Sequence, residues 1–153
     1  MENPTTKTTQ ENQFCTFYLE KLFFGIEVEK VQEIIRYQKI THVPLSSPEI
    51  AGLINLRSQI VTAIDLRRRL NLTDNKIEKS PLNVVVRFED ETISLLVDEV
   101  GDVIDVSQDN FELPPETLRG KVRELIRGAY KLEKQLLLIL DVEKVVDMNV
   151  AEK

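Results

Sequence analysis

His42 is the only histidine in the chain and Cys15 the only cysteine, so any Ser-His-Asp or Cys-His arrangement would have to centre on one imidazole. His42 stands between Thr41 and Val43, beside Pro44, at a strand or loop edge where a structural or surface role is expected. Cys15 lies in the apolar run Phe14-Cys15-Thr16-Phe17 and reads as a small buried hydrophobe. One cysteine gives no intrachain disulfide and no thiolate cluster for a metal, and a mixed His/carboxylate site lacks a second histidine. Gly25, Gly52, Gly101, Gly120 and Gly128 are scattered and form neither G-x-G-x-x-G nor a Walker loop. Asp98 and Asp102 can be posed as a general acid and base, but nothing around them sets them above the charged background. Arg67-Arg68-Arg69 reads as a solvated helix face rather than an anion site. The expectation is therefore no catalytic site, no metal and no cofactor.

The bulk properties bound the class of protein. At 153 residues and 42% hydrophobic, the chain can bury a core of one ordinary domain or of two small lobes sharing one. Its net charge is −6 without a long basic run, which disfavours binding to nucleic-acid phosphates or an anionic membrane. No stretch approaches the roughly 20 apolar residues needed to span a bilayer, and residues 1–12 carry no signal-peptide pattern. Direct membrane insertion is not expected, and a reducing cytoplasm is.

Residues 1–12 (MENPTTKTTQEN) read as a disordered tail, too polar to offset the entropy of ordering. Phe14 to Leu19 reads as a strand, and Phe24, Ile26 and Val28 continue with a period of two. Val31, Ile34 and Ile35 are three and four apart, which suggests a turn of helix. Pro44 and Pro48 bracket a loop at Leu45-Ser46-Ser47. Leu53–Leu56 and Ile60–Ile64 form a hairpin turning at Arg57-Ser58-Gln59, after which Asp65 caps a short helix through Leu70.

The second half repeats the first. At an offset of 69, Leu19 to Ile35 falls on Phe88 to Ile104, with Glu20 on Glu89, Val28 on Val97, Val31 on Val100 and Ile35 on Ile104. At an offset of 76, Gly52 meets Gly128, Leu56 meets Leu132, Gln59 meets Gln135 and Asp65 meets Asp141. The change places a 7-residue insertion around Asp109 to Arg123, where Pro114-Pro115 breaks regular structure. Strand, helical turn, proline loop, hairpin and Asp-headed helix recur in order. Each copy is too small to bury both faces of its sheet alone. The expected organisation is a tail at 1–12, one β lobe at 13–80, a second at 81–148 and a tail at 149–153.

Lys30-Val31-Gln32-Glu33-Ile34, Gly52-Leu53-Ile54-Asn55-Leu56-Arg57 and Ile64-Asp65-Leu66-Arg67 resemble the motifs of the CheW family. So do Phe24-Gly25-Ile26, the loop from Val43-Pro44 to Pro48, Leu96-Val97-Asp98-Glu99-Val100 and Leu137 to Asp141. The resemblance runs from about Phe14 to Val146. It implies an all-β fold with a few short helices, two SH3-like five-stranded barrels sharing a hydrophobic core. It also implies a non-catalytic chemotaxis adaptor, peripheral to membrane receptor arrays. The partners it implies are the regulatory domain of the CheA histidine kinase and the cytoplasmic tip of a chemoreceptor, a helical hairpin that docks between the lobes. Ring contacts with other CheW-like domains are left open.

Carried over by the same resemblance, Val31 and Glu33 match receptor-facing positions, and Arg57 matches the arginine of the family's Asn-Leu-Arg-Gly turn. Glu33 and Arg57 are expected to pair at one rim of the groove. Val31 supplies apolar contact there or belongs to the core, and either charge can instead be merely solvated. Gly52 and Ser58 are assigned structural turn roles. Ser58 departs from the family glycine, at a cost of about 1 kcal/mol if its φ is positive; Lys134 stands at the equivalent place in the second copy. The alternatives are a CheW-like adaptor of another kinase system, or a small β-barrel enzyme or metabolite-binding protein. The last would show a closed polar pocket with a perturbed carboxylate. A CheV-like protein is not expected, as no receiver domain follows within the 153 residues.

Overall fold

The computed structural model describes residues 13–72 and 81–147; the tails expected at 1–12 and 149–153 lie outside the described residues. Strands β1 (Gln13–Leu19) and β2 (Leu22–Glu27) form the first hairpin, and a 3-10 turn at Val28–Lys30 leads into β3 (Val31–Ile35). The hairpin of β4 (Ile50–Leu56) and β5 (Gln59–Asp65) precedes helix α1 (Leu66–Arg69). The second copy supplies β6 (Leu82–Phe88), β7 (Glu91–Val97), β8 (Glu99–Asp105), β9 (Phe111–Glu112), α2 (Gly120–Glu124), β10 (Ile126–Lys131), β11 (Leu136–Leu140) and α3 (Val142–Val146). Asp65 and Asp141 cap α1 and α3, accepting from the backbone N–H of Arg68 and Lys144.

Two sheets result, in the orders β8-β1-β2-β11-β10-β9 and β3-β6-β7-β5-β4, the all-β architecture of two lobes that the sequence implies. The lobes do not follow the boundary expected at 80/81. The six-stranded lobe takes β1 and β2 from the first copy, and the five-stranded lobe takes β6 and β7 from the second. Each copy thus lends its leading hairpin to the other's lobe. Each lobe has one parallel join, β2 beside β11 and β7 beside β5, and one antiparallel join, β1 beside β8 and β6 beside β3. A repeat read along a chain shows which segments match, not which ones pair, and that is why the boundary misled.

The exchange follows from what the hairpins must bury. Phe17, Phe24 and Ile26 from the first hairpin and their repeat mates Val86, Ile93 and Leu95 meet in one buried cluster with Ile64, Leu138 and Leu140. Each lobe keeps a smaller core of its own. Phe14, Phe23, Tyr130 and Ile139 fill the six-stranded one, and Ile54, Val61, Val85 and Leu96 the five-stranded one. Cys15 is buried as expected, and burial pushes its thiol up.

Two local expectations change. Val31–Ile35 is not helical: it is an edge strand pairing with β6, with Ile34 opposite Val84 and Ile35 opposite Asn83. Five residues rich in β-branched side chains satisfy either period, and the ladder to β6 decides. Gly52 is not in a turn. It sits inside β4 at a break in register, with φ +149 and Thr41 O only 2.3 Å from where a Cβ would stand. That close approach lets the chain leaving β3 bridge Leu53 and draw the sheet toward closure. Gly128 does the same for β9, where a Cβ would meet the Phe111 ring at 2.4 Å.

Gly52→Ala is expected to destabilise the fold by roughly 1–3 kcal/mol, since both the backbone angle and the space oppose a side chain. A urea denaturation midpoint unchanged from wild type would contradict this account of the bulge.

Candidate functional site

β4 and β5 meet through a two-residue turn, Leu56 opposite Gln59, with φ of 52° at Arg57 and 71° at Ser58. Positive φ at both central residues is the twist-matched hairpin turn, in which asparagine and glycine are the usual occupants. Serine bears that strain here, and the Asn55 side chain supports the turn by accepting from Ser58 N at 3.0 Å. Lys134 is not a true counterpart. Its hairpin joins Lys131 to Leu136 through four residues, and it is absent from the positive-φ residues.

The turn projects Arg57 toward β3. Its guanidinium donates two parallel hydrogen bonds to Glu33, from Nη1 to Oε2 and from Nη2 to Oε1, the latter at 2.5 Å. This is the fork-to-carboxylate geometry that gives arginine its directional hold. Glu33 is on one edge strand of the five-stranded sheet, and Arg57 adjoins the other. The pair therefore clasps the two edges and helps close the lobe. The hydrogen bond from Arg57, the larger effect, together with its charge, holds the Glu33 carboxyl below its usual range, and Glu33 raises Arg57 in return.

Val31 is half-buried and packs on the shared core. The exposed apolar side chain of β3 is instead Ile34, at 39%. Its repeat mate Val103, on the edge strand β8, is 56% exposed. The two copies thus offer the same apolar position on their edge strands. Strand alternation from Glu33 could have revealed Ile34; its placement in a helical spacing concealed it.

The arginine triplet is not a solvated face. Arg67 donates to both oxygens of Asp98, at 3.0 and 2.7 Å, and reaches Glu20 at 3.4 Å. Asp98 also accepts from Glu20 N, so α1 is tied to the turn between β1 and β2 and to the junction of β7 with β8. The hydrogen bond to Asp98 raises Arg67 above its ordinary value. Arg69 is buried and donates from Nε to Val145 O and from Nη2 to Lys144 O, both at 2.8 Å. Only Arg68 is left in solvent, beside Asp65. Asp98 is thereby committed to a structural ion pair rather than to proton transfer with Asp102, whose backbone carbonyl accepts from Thr16. His42 lies exposed at an open cleft with Ser46, Ser47, Asp65 and Arg68.

The molecule is thus a two-lobed β scaffold with an exposed polar clasp and apolar positions on its edge strands. Comparison with known proteins gives that class a family. The CheW-like domain matches residues 13–150, and the chain belongs to that family. It is 36% identical to the chemotaxis protein CheW of Bacillus subtilis over 143 residues, 94% of this chain and 92% of that one. It is 28% identical to the CheW of Treponema pallidum over 154 residues, 98% of this chain and 91% of that one. The scaffolding protein TtCheW of Thermoanaerobacter tengcongensis shares the fold, with a TM-score of 0.82 at 24% identity over 91% of this chain and 94% of that chain. Among the described residues no helix is long and apolar enough to cross a membrane.

Ser58→Gly is expected to raise stability by about 0.5–1 kcal/mol, since relief of the strained angle outweighs glycine's added unfolded-state entropy; chemical denaturation reads this directly. Glu33 should titrate by NMR below the ordinary carboxylate value of about 4.3, and Arg57→Ala should return it there. Its folded-state pKa is depressed, so whatever the pair contributes is present above the unfolded value and is lost as pH falls through the folded one.

Proposed function

We propose that this chemotaxis scaffold is a non-catalytic adaptor coupling chemoreceptors to a CheA-type histidine kinase. The receptor's helical tip would lie against the edge-strand surface, and the kinase's regulatory domain would bind elsewhere on the lobes. The observation that carries the reading is the bidentate Glu33–Arg57 pair that spans the two edges of the five-stranded sheet. A charge pair fixed in place at the rim of a lobe suits the charged selector of an amphipathic helix docking in a groove. In this reading Glu33 and Arg57 form the polar rim. Val31 acts from beneath by setting the height of β3, and the adaptor works at the cytoplasmic face of receptor arrays.

Purified protein should retain both a CheA regulatory domain and a receptor tip in a pull-down, and failure to retain either would overturn the reading. Arg57→Ala and Glu33→Ala should each weaken receptor-tip binding by roughly tenfold, the scale of a charge lost from a specific contact. The double variant should lose little more than either alone. Fully additive losses would exclude the pair as a unit.

A further inference from the structure

The repeat gives each lobe a seam where a strand of one copy runs parallel to a strand of the other. The two seams are equivalent residue by residue. Thr62 beside Ile93 matches Leu138 beside Phe24, and Ala63 beside Ser94 matches Ile139 beside Gly25. They are not equally covered.

In the six-stranded lobe, the inserted segment brings Leu118 onto the seam, beside Leu22, Phe23, Leu136 and Leu138. Leu118 packs on the shared core. Its segment is held by Leu118 N donating to Pro115 O at 3.1 Å and by Arg123 donating to Pro114 O at 3.2 Å. The open space left there is about 150 Å³.

The first copy has no such insertion, and among the described residues its seam is open, ending at Val146 of α3. A cleft of about 410 Å³ runs along Gln59, Ile60, Thr62, Thr92 and Ile93. Ile60, the mate of the covered Leu136, is 62% exposed. At its mouth, Lys21 and Leu22 of the covered seam are replaced by Asp90 and Glu91. Among the described residues neither carboxylate is in an ion pair.

We propose that the open seam between β5 and β7 is a docking site for a partner segment that carries one leucine-type side chain followed by basic residues. The shape comes from the other seam, whose cover is Leu118 followed by Arg119, Lys121 and Arg123. The charge comes from Asp90 and Glu91, which favour a cationic occupant. A second copy of this chain cannot supply its own cover, because its Leu118 is already seated at home. The partner is therefore a different chain. This surface is separate from Glu33 and Arg57 and does not depend on what binds there.

The probe is a fluorescent peptide of residues 114–123, which is PPETLRGKVR, titrated against the full chain by anisotropy. Binding should weaken at least tenfold in Ile60→Asp and in Glu91→Lys, and also when the peptide carries Leu118→Asp. It should fall as salt is raised, since the charges at the mouth are exposed. Receptor-tip binding by the same variants should stay unchanged, and this separates the proposal from the adaptor reading. Absence of peptide binding, or equal binding by wild type and both variants, overturns it. So does binding that appears only after residues 148–153 are removed, since the seam would then belong to the chain's own end.

Discussion

Everything in this protein hangs on one buried contact, the meeting of two exchanged hairpins at the centre. Phe17, Phe24 and Ile26 face Val86, Ile93 and Leu95 from the other copy, and water reaches none of the six freely. Burying a large apolar side chain is worth roughly 1.5–3 kcal/mol, so this cluster outweighs any surface ion pair. The clasp at Glu33 inherits its position from that contact. Among the described strands β3 pairs with β6 alone, a strand of the second copy, so the first copy's edge is placed by the second copy's core.

The periphery reinforces the centre by a different chemistry. Arg67 gathers Asp98 and Glu20, and Arg69 takes two carbonyls at the end of α3. Both arginines come from α1 of the first copy and reach partners in the second. The lobes also close differently. Glu33 and Arg57 have Asp102 and Glu133 as repeat mates, two acids that cannot pair with one another. The six-stranded lobe instead ends on the short strand β9, whose Phe111 packs edge-on against Tyr130 of β10 at 5.3 Å. Duplication produced the frame, and divergence at these few positions gave its two ends different surfaces.

Much of this was legible from residue order. The strands β1, β2, β4 and β5, the aspartate caps and the site of the insertion follow from period-two patterning, proline and the repeat. The family motifs brought Glu33 and Arg57 together and singled out Ser58, whose φ is 71°. What was hidden depends on partners distant in sequence. Arg67 reads as a surface charge until Asp98, 31 positions away, is seen to face it. Gly52 reads as a turn because the neighbour that demands glycine is the carbonyl of Thr41 on another segment. Which of Val31 and Ile34 faces solvent was hidden too, since only the ladder to β6 distinguishes strand from helical turn over five residues.

The reciprocal loan of β1–β2 and β6–β7 also bears on origins. A lone half-length ancestor would have had nowhere to seat its first hairpin except on another molecule of itself. It would have lived as an entwined homodimer with a twofold axis through the shared core. Joining two such units in one chain makes that axis an approximate one between the two halves, and leaves each end free to differ.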